Sequence, residues 1–297
     1  RLTYTDEQLE EAYQADTKTY DKASWEYVVV SGAAESTTDA DGNTVQPTDE
    51  ETEAAKAAAK ETADKILAAY KAGTSLESAA GNYEKASYYS SDSTTYYDGT
   101  TGNWLFDGAR KSGDTAVLEV GSSYYVALFH SCGREEYNTV DVRHILIQPE
   151  SGTLSTDDEG YDAEQEELKA AARTKAEEIL AQWKSGEATE DSFAQLALEN
   201  SADGSKYDGG LYTRVTKGWA VEEFNDWCFD ASRKDGDTGI VDTTYGSHVM
   251  YFVGYDLPAW AASVTSDLQE KASSEWSTAL SENADVQQSD FGMKFVG

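Results

Sequence analysis

The chain has 297 residues, 56 of them acidic against 23 basic, for a formal net charge of −33. That balance excludes a nucleic-acid backbone binder, which needs a basic stripe, and disfavours anionic membrane surfaces. A hydrophobic fraction of 39%, with seven Trp and nineteen Tyr, is enough to bury real cores, and the length suggests about two domains.

Residues 1–22 hold a short amphipathic helix pattern carrying Leu9, Ala12 and Tyr13. WEYVVV (25–30) is a β-branched run and reads as a strand. The acidic stretch 36–53 reads as a solvated loop before an Ala/Lys-rich helix that ends in ADKILAAYKAG (63–73). TSLESAA (74–80) is a second, shorter helix, and the tyrosine-rich SYYSSDSTTYYDG (87–99) reads as loop packing, with binding of an extended peptide as the lesser alternative. WLFDGARKSGDT (104–115) and the strand-like SSYYVALF (122–129) follow.

The pattern then repeats. VRHILI (142–147) lies over WEYVVV, and AEEILAQWKSG (176–186) over ADKILAAYKAG. DSFAQLA (191–197) lies over TSLESAA, WCFDASRKDGDT (227–238) over 104–115, and YGSHVMYF (245–252) over 122–129. Order and spacing persist through every block, so the chain holds two copies of one domain, at 23–138 and 139–256. In the second copy the first strand is expected over 140–148. A helix over 163–184 follows, with Leu168, Ala172, Ala176, Ile179, Leu180 and Trp183 on one stripe and Gly186 as its stop. A helix over 192–199 and strands over 238–242 and 247–253, joined by TTYG, complete it. Strands with inserted helices, closing on a hairpin, predict an α+β fold with an antiparallel sheet in each copy. Residues 257–297 open on a proline and continue as a helix with Val264, Leu268, Ala272, Trp276 and Leu280 on one face. With 1–22 they form helical flanks outside the two copies.

The second copy resembles the parvulin-type peptidyl-prolyl cis/trans isomerases. The likeness rests on HIL with His144, on Ser201 and Asp203 as S-x-D, and on Gly209–Leu211 as GG-L. It continues through Phe224 and the Gly-Asp of 236–237 to T-x-Y-G-x-H, which ends at His248. The acidic character and the two flanking helices are similar to those of extracytoplasmic foldases of the PrsA/SurA kind.

The resemblance implies a non-covalent isomerase. His144 and His248 would lie on neighbouring strands with Thr243 beside them, Asp203 at the rim and Tyr245 opposite. Leu211, Ala220 and Phe224 would line a proline pocket. Ala220 stands where relatives usually carry methionine, and Tyr212 where glycine is common. No cofactor and no metal are expected. The implied partners are unfolded or partly folded exported polypeptides with X-Pro bonds, met at the cell surface or in secretion, with a membrane reached only through an anchor outside these residues. A client-binding chaperone with a weak or inactive isomerase site is the rival reading.

Three other patterns have weaker claims. Two histidines and an aspartate could in principle form a two-His, one-carboxylate metal site, but the local spacing gives no support. STDDEGYDAEQE (155–166) has the acids and glycine of a calcium loop but opens on serine, so it reads as an acidic surface loop. Cys132 and Cys228 provide no disulfide framework. The first copy has Tyr27 at the place of His144 and Tyr125 at the place of His248, and nothing to match GGLYTRVTKGWAVEEF (209–224). Its expected role is to hold or bind, not to catalyse.

Overall fold

In the computed structural model, residues 2–283 are described, and the chain divides into two units, Arg1–Glu135 and Glu136–Gly297. Arg1 and the last part of the expected C-terminal helical segment, 284–297, lie outside the described residues.

The first unit opens with α1 (Asp6–Ala15), whose start is fixed by a reciprocal capping box between Thr5 and Gln8. A single turn, α2 (Thr17–Tyr20), leads into β1 (Lys22–Val30). A short hairpin, β2 (Thr37–Thr38) and β3 (Thr44–Val45), occupies the acidic stretch. The long helix α3 (Asp49–Lys71) begins well before the periodic segment at 63–73, because Thr48 and Glu51 form a second capping box. Then come α4 (Leu76–Ala80), β4 (Ala86–Thr95), α5 (Thr100–Leu105), β5 (Thr115–Val120) and β6 (Ser123–Gly133). The strands form one antiparallel sheet in the order β4-β1-β6-β5. The tyrosine-rich segment expected as loop is therefore an edge strand.

The second unit runs β7 (Asn138–Ile147), α6 (Tyr161–Ser185), α7 (Glu190–Asn200), β8 (Leu211–Val215), α8 (Glu222–Phe229), β9 (Thr238–Thr243), β10 (Gly246–Pro258) and α9 (Ala259–Asn283). Its sheet is also antiparallel, in the matching order β8-β7-β10-β9. The register repeats too: Tyr27 faces Ala127 as His144 faces Met250, and Val29 faces Tyr125 as Leu146 faces His248. Even the WxFDxxRKxGD turns match. Arg110 and Arg233 each lie over the ring of their motif tryptophan, at 4.3 and 4.0 Å, and each donates Nε to that tryptophan's carbonyl at 3.1 Å.

Strand alternation decides what each face of the second sheet carries. Ile145 and Val249 turn toward α6 and α7, where they pack with Ala176, Ile179, Trp183, Phe193, Leu196 and Ala197. Val140, Val142, Met250 and Phe252 turn the other way and pack with Phe224 and Cys228 of α8. His144 and His248 fall in phase with this second set, so both imidazoles emerge on the α8 face. In the first unit the analogous face holds Ala23, Trp25, Ala127 and Phe129 under α5, with Tyr27 and Tyr125 against them. Both cysteines are free. Among the described residues no helix is long and apolar enough to cross a membrane.

Candidate active site

A cavity of about 480 Å³ opens on the α8 face of the second sheet. His144 and His248 form its back, Phe224 and Val221 of α8 and its approach form one side, and Tyr212, Trp219 and Ala220 form another. Tyr245, 60% exposed, stands at the mouth. Phe224 is buried and meets both imidazoles edge to face, with ring centroids 5.5 Å from each. The apolar floor is thus set directly against the histidine pair.

The two imidazoles stack at 19° and approach through their Nδ1 atoms, 3.0 Å apart. One Nδ1 must donate and the other accept, so both rings cannot be charged. On the outer side of His144, Nε2 lies 3.3 Å from Asp203 Oδ1. On the outer side of His248, Nε2 lies 2.9 Å from Thr243 Oγ1. An ionised Asp203 can only accept, which places a proton on His144 Nε2. His144 Nδ1 then accepts from His248 Nδ1–H, and His248 Nε2 accepts from the Thr243 hydroxyl. The result is one directed chain from threonine through two neutral imidazoles to a carboxylate.

The electrostatics agree with this order. Burial pushes His144 below the usual imidazole range, against the opposing pull of Asp203. Burial, then the neighbouring His144, takes His248 down to about 4. For Asp203, burial acts upward but loses to its hydrogen bonds, and the net result is a value of about 2. Its Oδ1 accepts from the Ser205 backbone at 2.8 Å, the Ser205 hydroxyl at 2.5 Å and the Tyr212 hydroxyl at 2.9 Å. With His144 neutral, these donors carry the depression.

The Asp203 loop is held in place by its glycines and by Arg143. Gly209 and Gly210 both have positive φ, and a Cβ on Gly210 would come within 2.3 Å of the His144 carbonyl oxygen. Only glycine fits there. The Gly210 carbonyl accepts from the His144 backbone N–H at 2.9 Å. Arg143 donates Nε to Glu190 and its Nη1 to the carbonyls of Asp208 and Gly209, each at 2.9 Å.

Of the residues expected at the site, His144, His248, Phe224, Ala220 and Tyr245 line the cavity. Asp203 and Thr243 lie behind it, each bonded to a histidine. Leu211 does not line it; Tyr212 does. Adjacent residues on a strand point to opposite faces, and on β8 it is Tyr212, paired with Val142, that shares the α8 face. Trp219, Val221 and Ser205 were not anticipated. The signal for Trp219 was its place in the 209–224 stretch that the first copy lacks. At the equivalent place in the first unit, Tyr27 stacks on Tyr125 and Tyr89, with centroids at 5.7 and 5.2 Å. Among the described residues no three His, Cys, Asp or Glu side chains are grouped to hold a metal ion. The 155–166 loop instead folds onto Glu164, which accepts from the backbone of Thr153 and Leu154.

Residues 126–253 match the family model of the PPIC-type PPIASE domain. The chain carries a parvulin-type peptidyl-prolyl isomerase domain. The match begins inside β6 and ends within β10, so it covers β7, β8, β9, the first part of β10 and both histidines. No curated protein matches the chain. Among solved structures, PrsA from Bacillus subtilis is 23% identical, covering 52% of this chain and 52% of its own, with a TM-score of 0.34. PrsA from Bacillus anthracis is 20% identical, over 52% of this chain and 64% of its own, with a TM-score of 0.30. NmPin, the parvulin of Nitrosopumilus maritimus, is 26% identical, over 40% of this chain and 98% of its own, with a TM-score of 0.28. The chain thus spans between about half and two thirds of these PrsA chains.

Proposed function

We propose that the second unit isomerises X-Pro bonds without forming a covalent intermediate, and that the protein uses this to assist the folding of exported polypeptides. The observation that carries the reading is the apolar cavity floored by Phe224 against a neutral, internally bonded histidine pair.

The obstacle in the reaction is amide resonance, a barrier of ~18–20 kcal/mol. Twisting the bond removes conjugation, so the carbonyl oxygen loses negative charge and the nitrogen regains its lone pair. A proline ring seated on Phe224, between Tyr212 and Ala220, would hold one half of the bond while the other half rotates. The anionic Asp203, behind the cavity against His144, disfavours a planar amide whose carbonyl oxygen faces it more than the twisted one, which is differential stabilisation of the transition state. Neutral imidazoles add no charge that would hold the planar form. Thr243 and His248 keep His144 in the tautomer that faces Asp203. Lowering the barrier by ~4–7 kcal/mol corresponds to roughly 10³–10⁵-fold acceleration.

The extracytoplasmic setting and the X-Pro-containing clients belong to this proposal, supported by the acidic surface and by the flanking helices' likeness to foldases. The test is a cis/trans assay of the full chain on short X-Pro peptides, beside its Phe224→Ala and His144→Ala variants. Acceleration that both substitutions reduce supports the isomerase. A folded protein that leaves the uncatalysed rate, tens of seconds or slower, unchanged refutes it. Suppression of client aggregation without isomerisation would favour the client-binding chaperone.

A further inference from the structure

The cavity is larger than a proline ring requires. Three methylenes would occupy a small part of about 480 Å³, a volume within the range of about 300–1,000 Å³ that takes drug-sized ligands. Trp219 and Ala220 both line this cavity, and alanine contributes only a methyl group to the wall. Trp219 meets Tyr212 edge to face, with centroids 4.7 Å apart at 60°, and Phe224 at 6.4 Å. The indole is nevertheless 51% exposed, so one part is anchored by aromatic neighbours and the rest stays open to solvent. Among the described residues no Lys, Arg, Asp or Glu side chain lines this cavity. A half-buried indole on an uncharged wall is suited to another aromatic ring.

We propose that Trp219, supported by Tyr212, forms a second subsite that takes an aromatic side chain directly adjacent to the substrate proline. The inference rests on the isomerase reading for the position of the proline, and it makes the protein selective for aromatic-flanked X-Pro bonds. Tyr212 would have two roles: its hydroxyl holds Asp203, and its ring backs the indole.

The test measures binding to the full chain of four blocked peptides, with Ala-Pro, Phe-Pro, Pro-Phe and Arg-Pro at their centres. The readouts are dissociation constants and the shift of the Trp219 indole N–H resonance. One Phe peptide is expected to bind roughly three- to tenfold more tightly than the Ala-Pro peptide, the worth of one aromatic pair. Trp219→Ala should bring that ratio close to one, and Trp219→Phe should keep most of it. Equal affinities for Ala and Phe peptides, or a ratio unmoved in Trp219→Ala, would overturn the subsite. A preference for the Arg peptide over both Phe peptides would also overturn it, assigning selectivity to surface charge instead. Isomerisation of the Ala-Pro peptide on the same sample separates the two claims. Its absence alongside a Phe preference removes the isomerase and leaves the subsite, and its presence with no preference does the reverse.

Discussion

Acid should weaken the second unit through its histidine pair. In the unfolded chain each imidazole titrates near 6.5, whereas His248 in the fold is held at about 4 and His144 is also lowered. Between those values the unfolded chain binds protons that the folded one refuses, so stability rises with pH across the window and falls as pH drops from 6.5 toward 4. The drop from 6.5 to about 4 at His248 corresponds to at most roughly 3 kcal/mol, an upper bound reduced by solvent at the cavity mouth. The structural cause is direct: protonation would leave two donors facing each other across the 3.0 Å Nδ1–Nδ1 contact. Asp203 acts in a lower window. Its depressed carboxylate contributes stability that is present above about 3.8 and lost as pH falls toward 2, so the two effects separate. The assay is denaturant unfolding of the full chain at pH 7, 6, 5 and 4.5, beside a His144→Asn/His248→Asn double variant, with imidazole resonances followed by NMR. The wild type should lose stability progressively, and the double variant should lose less over the same range. A His248 resonance titrating at or above 6.5, or equal pH slopes for the two proteins, would refute the argument.

Other substitutions probe separate parts of the site. Tyr212→Phe keeps the ring but removes one of the hydrogen bonds to Asp203. The carboxyl carbon resonance should then titrate above its present value of about 2, and stability should fall by ~1.5–3 kcal/mol. Gly210→Ala forces a positive φ on alanine and drives its Cβ into the His144 carbonyl. It should cost more than ~1 kcal/mol and displace His144, read as a lowered melting temperature together with shifted histidine resonances. Tyr27→His with Tyr125→His restores the two imidazoles to the first unit but not the Tyr212–Phe224 wall. Placed in a Phe224→Ala background, it should produce no new isomerisation of X-Pro peptides.

The duplication was legible because it is written in side chains with fixed structural duties. The tryptophan and arginine of each WxFDxxRKxGD turn stack on one another in both units, and the strand register around them repeats residue for residue. α6 and α7 were legible for a similar reason: Ala172, Ala176, Ile179 and Trp183 recur at helical spacing because that stripe is buried. The missing elements have weak patterns for physical reasons. β4 is an edge strand whose residues are mostly exposed or half-exposed, so SYYSSDSTT lacks the alternation that a covered strand would impose. β8 has five residues and contains Arg214 at φ +56°, where the pairing with β7 shifts register.

That short, irregular strand is also where the site was misread. On a strand, a displacement of one residue exchanges pocket for opposite face, and it put Leu211 on a wall that Tyr212 occupies. The same stretch supplies Trp219 and the Asp203 donor Tyr212, and the first unit has no counterpart to it. What distinguishes the units is therefore more than the exchange of histidine for tyrosine. In the first, Tyr89 and Tyr125 each stack on Tyr27. In the second, a loop with two left-handed glycines carries an anionic carboxylate to one imidazole, and an aromatic wall leaves the space beside it open. Restoring two side chains reproduces neither the wall nor the opening, which is why the proposed isomerase site is placed in the second unit.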